Sequence, residues 1–388
     1  MVTDLASEHL AFRKVLRSFA EKEIRPRAAQ ADQSGTYPED MFNAMRTAGL
    51  LGLCIPQELG GSGGGMTALC LAIEEVCRYC NSAGLMLLLT RLATGPLLLS
   101  SNHTLRDQYL PEVASGRLRG SFCLTELHAG SDVNQIATSA RPHGHGFVLN
   151  GTKAYISGAT VADFFIVWAK TQTAAGADEM AAFLVDRDTE GLALGHIDEK
   201  MGVRAVPTAE VVLSDCYVPS DHRISDSEGG MRHLMASLNS ARPGVAARGL
   251  GLAEGALAYA CEYARNRTAF GTAVIDIPAV QQMIADITIG IEAARGLVHR
   301  AAQMVDRGEY GLEAAGMMAI AKCFATDLAV RASSDCLQIL GAAGYMSDHP
   351  MERFYRDAKQ LQIVEGTNQI QRVIIARAVR DGRLTFAD

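Results

Sequence analysis

The chain has 388 residues, 48% of them hydrophobic and 20% charged, and its formal charge of −7 is spread without any basic block. That balance belongs to a folded globular protein with several layers of structure; it excludes a disordered chain and gives no support to a phosphate-tracking nucleic-acid surface. Nine cysteines, an odd number at irregular spacing in a chain too large to need disulfides, read as free thiols.

Residues 1–120 carry a helical pattern, with amphipathic runs separated by Gly and Pro. The opening MVTDLASEHLAFRKVLRSFAEKEIRP sets Leu5, Leu10, Phe12, Val15, Leu16 and Phe19 near helical spacing. It lacks a signal peptide's apolar core and cleavage site, so a cytoplasmic protein is expected. IPQELGGSGGG has neither the Lys and Ser/Thr of a phosphate loop nor a dinucleotide fingerprint, and reads as a flexible loop. Cys77 and Cys80 form a lone CxxC in an apolar run with no second Cys or His pair nearby, so no metal is expected. LMLLLTRLATGPLLL is broken by Arg91, Gly95 and Pro96, short of the roughly 18 apolar residues of a membrane span, and reads as a buried helix. Arg91 is expected to reach solvent or to meet an acidic neighbour.

In residues 121–230 the texture changes to short apolar or alternating runs bounded by turns: GFVLNGTKAYIS, DFFIVWAKT, AAFLVDRD and AEVVLSDCYVP. Their close spacing, with no helical pattern between, predicts an antiparallel β domain, a barrel or sandwich. His143 and His145 flank Gly144 at a predicted hairpin tip. Residues 231–388 return to helical periodicity, with Leu250, Ala253, Leu257, Ala260, Cys261 and Ala264 on one stripe. Pro243 is expected to start a new helix or to kink the old one. The fold class is therefore α+β and multidomain: an N-terminal helical domain, a central antiparallel β domain and a C-terminal helical bundle.

Glu365 precedes Gly366, Thr367 and Asn368, a sequence suited to a turn into a helix whose apolar face is Ile370, Val373 and Ile374. A carboxylate at such a corner can project into a cavity. There it can remove a proton beside a thioester carbonyl, provided a dry, apolar site raises its pKa toward neutrality. Taken alone, a Glu at a helix start is more often a partner of the helix dipole.

Several motifs give the chain a full-length resemblance to the acyl-CoA dehydrogenase family: FCLTELHAGSD, YIS, RTAFG, QILGAAGY and RDAKQLQIVEGTNQIQR, in the family's order. The resemblance implies FAD-dependent α,β-dehydrogenation of an acyl thioester to a trans-2-enoyl thioester. Glu365 would be the base, its backbone N–H and a flavin hydroxyl would polarise the carbonyl, and flavin N5 would accept the β-hydride. It implies FAD contacts at Phe122, Leu124, Thr125, Gly130, Ser131, Tyr155, Ile156, Ser157, Thr367 and Gln369. Arg267, Phe270, Gln281, Gln338, Ile339, Gly341 and Ala342 would reach the FAD of a neighbouring subunit, hence a homo-oligomer, favoured as a tetramer. Ser131, Asn239, Arg242 and Gly366 match positions that contact CoA, and Leu85 to Thr90 would line the acyl pocket. The electron acceptor implied is an electron-transfer flavoprotein.

Departures from the family pattern are Leu127 for Pro, Tyr155 for Trp, Val206 for a CoA-contacting Ser, Pro278 for Gln, and Asn239 for Asp. They keep two alternatives open, an acyl-carrier-protein thioester as substrate and an inactive partner subunit of a hetero-oligomer; an oxidase is a third, because the sequence does not select the electron acceptor. Ala241 occupies the position that supplies the base in some subfamilies, so Glu365 has no rival there.

Overall fold

The computed structural model describes residues 7–172, 176, 178–225 and 229–385; Leu5 lies outside them. The N-terminal helical pattern resolves into α1 (Ser7–Phe19), α2 (Ala28–Ser34), α3 (Glu39–Thr47), α4 (Gly65–Cys77), α5 (Asn81–Leu98) and α6 (His103–Ala114). Leu16 is the buried residue of α1, whereas Leu10 and Val15 are exposed, because charge as much as apolar contact docks this helix. Arg13 meets Glu74 at 2.5 Å and Glu75 at 2.7 Å, and Arg17 meets Glu75 at 3.0 Å. Glu74, Glu75 and Glu254 lie close enough to share a cation, and the guanidinium groups of Arg13, Arg78 and Arg295 already serve them. The glycine-rich stretch is a packed turn and not the open loop expected: a Cβ on Gly61 would stand 2.0 Å from the Ile55 carbonyl. α5 is buried on nearly every side and continues through Pro96. Arg91 goes down with it, 7% exposed, with no ion pair among the described residues, so neither expectation for it holds. The Cys54 thiol is a neighbour.

The central strands are β1 (Gly120–Cys123), β2 (Ser139–His143), β3 (Gly146–Ser157), β4 (Phe164–Gln172), β5 (Asp178–Asp186), β6 (Leu192–Asp198) and β7 (Thr208–Pro219). They form one sheet in the order β1-β4-β2-β3-β7-β6, with β5 also on β4. The sequence neighbours β2–β3, β4–β5 and β6–β7 pair antiparallel as expected, but β1 and β2 lie parallel to β4, so the sheet is mixed. The parallel pairs join strands separated by longer excursions, which spacing between adjacent runs does not reveal. β4 is buried on both faces: Phe164, Ile166 and Trp168 join a core with α5 and α6, while Phe165, Val167 and Ala169 fill the sheet's own interior. His143 and His145 sit exposed at the β2–β3 hairpin tip.

The C-terminal part comprises α7 (Gly230–Asn266), the short pair β8 (Thr268–Ala269) and β9 (Thr272–Ala273), α8 (Pro278–Asp306), α9 (Ala315–Leu340), α10 (Met351–Leu361) and α11 (Asn368–Arg380). α7 runs unbroken through Pro243, so no new helix starts there. It crosses α4 so closely that a Cβ on Gly255 would lie 2.0 Å from the Arg78 carbonyl, and one on Gly251 2.1 Å from that of Glu74. Gly255→Ala should therefore lower stability by about 2 kcal/mol in urea unfolding, despite alanine's better helix propensity. The loop before β7 ties the sheet to the helical bundle: the Val203 N–H donates to Asp357 Oδ1 at 2.5 Å, and Arg356 donates to the Met201 carbonyl at 2.9 Å. No helix among the described residues is long and apolar enough to cross a membrane.

Candidate active site

Glu365 occupies the corner between α10 and α11. The N–H groups of Ile363 and Val364 turn back to the Gln360 carbonyl at 2.9 and 3.1 Å, and the Thr367 hydroxyl accepts the Ile370 N–H at 3.3 Å, capping α11. Between them Glu365 (φ 53°) and Gly366 (φ 85°) are both left-handed, a conformation disfavoured for a glutamate. No acceptor among the described residues takes the Glu365 N–H. Tyr155 (φ 60°) and Phe270 (φ 53°), two more residues of the sequence motifs, share this uncommon backbone region.

The Glu365 carboxyl oxygen Oε2 is buried, with no hydrogen-bond partner among the described residues. Burial pushes the carboxyl up to about 7 against the pull of Arg248, Lys322 and Arg242. The raised pKa fits the expectation, and three buried cations stand around the carboxyl. Arg242 donates to Asn239 Oδ1 at 2.5 Å, has no partner for its Nε among the described residues, and is pushed down to about 10 by burial. Arg248 holds Asn81 Oδ1 at 2.5 Å and Gln360 Oε1 at 2.9 Å. Lys322 donates to the Gly366 carbonyl at 3.0 Å and to Asn368 Oδ1 at 2.8 Å. Sequence reasoning missed Arg248 and Lys322. The available signal was a lone cation inside each of two otherwise small or apolar helical runs, AARGLG and AIAKCFA.

Thr125, Tyr155 and Ser157 come together at one end of the sheet. The Ala154 N–H donates to the Thr125 carbonyl at 2.9 Å, and the Ser121 hydroxyl to the Ser157 carbonyl at 3.0 Å. Tyr155 is 58% exposed there, a ring left open beside two hydroxyl-bearing residues. Leu124 and Ile156 are buried, so only their backbone can face a ligand, while Phe122 is half-buried against Trp168. Gly130 and Ser131 are exposed in the following loop. Beneath them the buried Lys153 ammonium donates to the Leu124 carbonyl at 3.0 Å and to Glu126 Oε1 at 2.8 Å. Glu126 also accepts the N–H groups of Ala137 and Thr138 at 2.6 and 3.0 Å. Burial alone would raise the Glu126 carboxyl, but the Ala137 N–H, Lys153 and Thr138 hold it down at about 2. Thr367 is half-buried and Gln369 exposed at the start of α11.

The remaining motif residues stand elsewhere. Arg267 closes α7, Phe270 is fully exposed in the β8–β9 turn, Gln281 is exposed on α8, and Gln338, Gly341 and Ala342 are exposed at the end of α9, where Ile339 turns into the core. Gln338 lies sixteen residues along α9 from Lys322, about 24 Å of helix. Within one chain these residues are thus not part of the Glu365 site. Asn239 and Arg242 are buried, and Asn239 donates to the Tyr310 and Gly311 carbonyls at 3.0 and 3.3 Å.

A helical part, a β half-barrel and a second helical part in this order define the acyl-CoA dehydrogenase fold. Three family models match in sequence: acyl-CoA dehydrogenase N-terminal domain at residues 6–117, middle domain at 121–216 and C-terminal domain at 228–380. The chain is 39% identical over 375 residues to the probable acyl-CoA dehydrogenase fadE25 of Mycobacterium leprae, covering 97% of this chain and 96% of that one. It is 37% identical over 380 residues to an acyl-CoA dehydrogenase of Bacillus subtilis, covering 97% and 99%. Butyryl-CoA dehydrogenase from Megasphaera elsdenii superposes with a TM-score of 0.92 at 32% identity, over 97% of this chain and 99% of that one. The chain belongs to the acyl-CoA dehydrogenase family and is an oxidoreductase of that FAD-dependent family.

Proposed function

We propose that this protein catalyses α,β-dehydrogenation of an acyl-CoA thioester, with Glu365 as the base that removes the α-proton. The buried Glu365 carboxyl oxygen and the residue's own N–H, both without a partner among the described residues, carry this reading. The free N–H can donate to the thioester carbonyl and favour the enolate-like charge that develops as the proton leaves. Glu365 then holds the proton in a site poor in water. Thr125, Tyr155, Ser157 and Thr367 suit the flavin of FAD, the open Tyr155 ring being the observation that fits a planar group. FAD, when bound, supplies the two-electron acceptor for the hydrogen that leaves Cβ. Ser131 and Gly366 are proposed to meet the thioester arm, while Asn239 and Arg242, both buried, are proposed to shape the surroundings of the base.

Arg267, Phe270, Gln281, Gln338, Gly341 and Ala342 are proposed to complete the FAD site of a second copy, in a homotetramer. An aromatic side chain left wholly bare, Phe270, supports this. Phe270→Ala should then cut FAD retained through gel filtration severalfold while leaving the circular-dichroism spectrum unchanged.

Anaerobic addition of short, branched and long acyl-CoA thioesters to the yellow protein should bleach its flavin; a panel that causes no bleaching would sink the reading. Carrier-protein thioesters and O2 form the other arms of that experiment, and an electron-transfer flavoprotein is the acceptor proposed. The pH profile follows from the Glu365 carboxyl at about 7. The base works unprotonated, so kcat/KM should rise about tenfold per pH unit below neutrality and level off above it.

A further inference from the structure

Of the three cations around Glu365, Lys322 alone touches the base's own turn. α9 presents Lys322, Cys323, Thr326 and Asp327 on one face to the start of α11. Lys322 Nζ holds the Gly366 carbonyl and Asn368 Oδ1, and Asn368 Nδ2 donates onward to Thr326 Oγ1 at 2.9 Å and Asp327 Oδ1 at 2.7 Å. Gln371 Nε2 donates to the carbonyls of Glu365 and Gly366 at 3.2 and 3.0 Å. The peptide groups on both sides of Gly366 are thereby fixed, which keeps two consecutive left-handed residues from relaxing. An uncharged glutamine could offer the Gly366 carbonyl a similar donor without the cost of burying an ammonium, and Lys322 is completely buried. The charge itself is what the site retains.

We propose that Lys322 is a positioning residue for proton abstraction: it clamps the left-handed Glu365–Gly366 turn and keeps a fixed positive charge beside the Glu365 carboxylate. This rests on reading Glu365 as the base. The charged and titratable groups facing the same space are Arg242 and Arg248 from α7, Cys323 and Asp327 from α9, Asp357 from α10, Arg372 from α11 and Lys200 from the loop before β7. Asp327 is taken by Arg372 at 2.6 Å and Asp357 by the Val203 N–H at 2.5 Å. Burial pushes the Lys322 ammonium down to about 8, and Glu365 is the largest charge pulling it back. Losing the Lys322 charge removes a cation that lowers the Glu365 pKa, so the base should need a higher pH to ionise.

The test uses FAD-loaded Lys322→Gln, Lys322→Met and Lys322→Arg, with kcat/KM followed across pH alongside FAD content and melting temperature. In both uncharged variants the acid limb should move up by about one pH unit, a tenfold loss at about pH 6 that shrinks to little at about pH 9; Lys322→Arg should return it toward the wild-type position. Either uncharged variant suffices if the other fails to fold. An unmoved limb, with losses confined to melting temperature or FAD content, would overturn the proposal. Wild-type turnover in Glu365→Gln would overturn the reading of the base instead, so the two failures are told apart.

Discussion

Glu365→Gln should bind FAD, remain yellow and lose about a thousandfold or more in kcat with acyl-CoA substrates, because the amide cannot accept the α-proton. The same substitution should make the protein more stable in mild alkali. The folded carboxyl sits at about 7 against an ordinary 4.5, so the folded state binds this proton the more tightly. The stability that it confers is complete below pH 4.5 and is lost as pH rises through 7. The glutamine variant has no such loss, and by about pH 8 it should exceed the wild type by up to about 3 kcal/mol. Unfolding midpoints at about pH 5 and pH 8 read this directly: the gap between the two proteins should open with pH. A less stable variant at the higher pH would mean that the carboxylate is satisfied in the folded protein.

Breaking the Glu126–Lys153 ion pair beneath the Thr125 loop should have the largest effect on stability. Glu126→Ala leaves the fully buried Lys153 ammonium facing no carboxylate and strips the Ala137 and Thr138 N–H groups of their acceptor. A loss of about 3–5 kcal/mol is expected in chemical unfolding, together with loss of FAD, since Lys153 also holds the carbonyl of Leu124 next to Thr125. The double substitution Glu126→Gln with Lys153→Met should cost less than the sum of the two single changes. Because the Glu126 carboxyl is held down at about 2, its contribution is present above about pH 4.5 and should fade as pH falls from there through 2.

What the sequence carried was mostly local. The turn at Glu365 could be read because Gly366, Thr367 and Asn368 are turn and cap residues in consecutive positions, and the strand runs because alternation needs no knowledge of partners. The parallel placement of β1 against β4 and the packing of Gly61 against Ile55 depend on contacts between distant or turned-back segments, which composition does not encode. Arg91 was read from a general tendency of long cations to find water, and a helix enclosed on nearly every side denies it that route. Lys322 and Arg248 converge on Glu365 from positions 43 and 117 residues away in the chain, so nothing near the motif announced them. Their presence changes the picture of the base. Burial raises its pKa, and three cations stop it from rising further.

The proton removal proposed for Glu365 can be watched without turnover. The FAD-loaded protein, kept free of oxygen and of any electron acceptor, is incubated with a saturated acyl-CoA in D2O, and the recovered thioester is weighed for deuterium at Cα. The wild type should place deuterium there and Glu365→Gln should place none. Exchange at the wild-type rate in the glutamine variant would show that another group takes the proton.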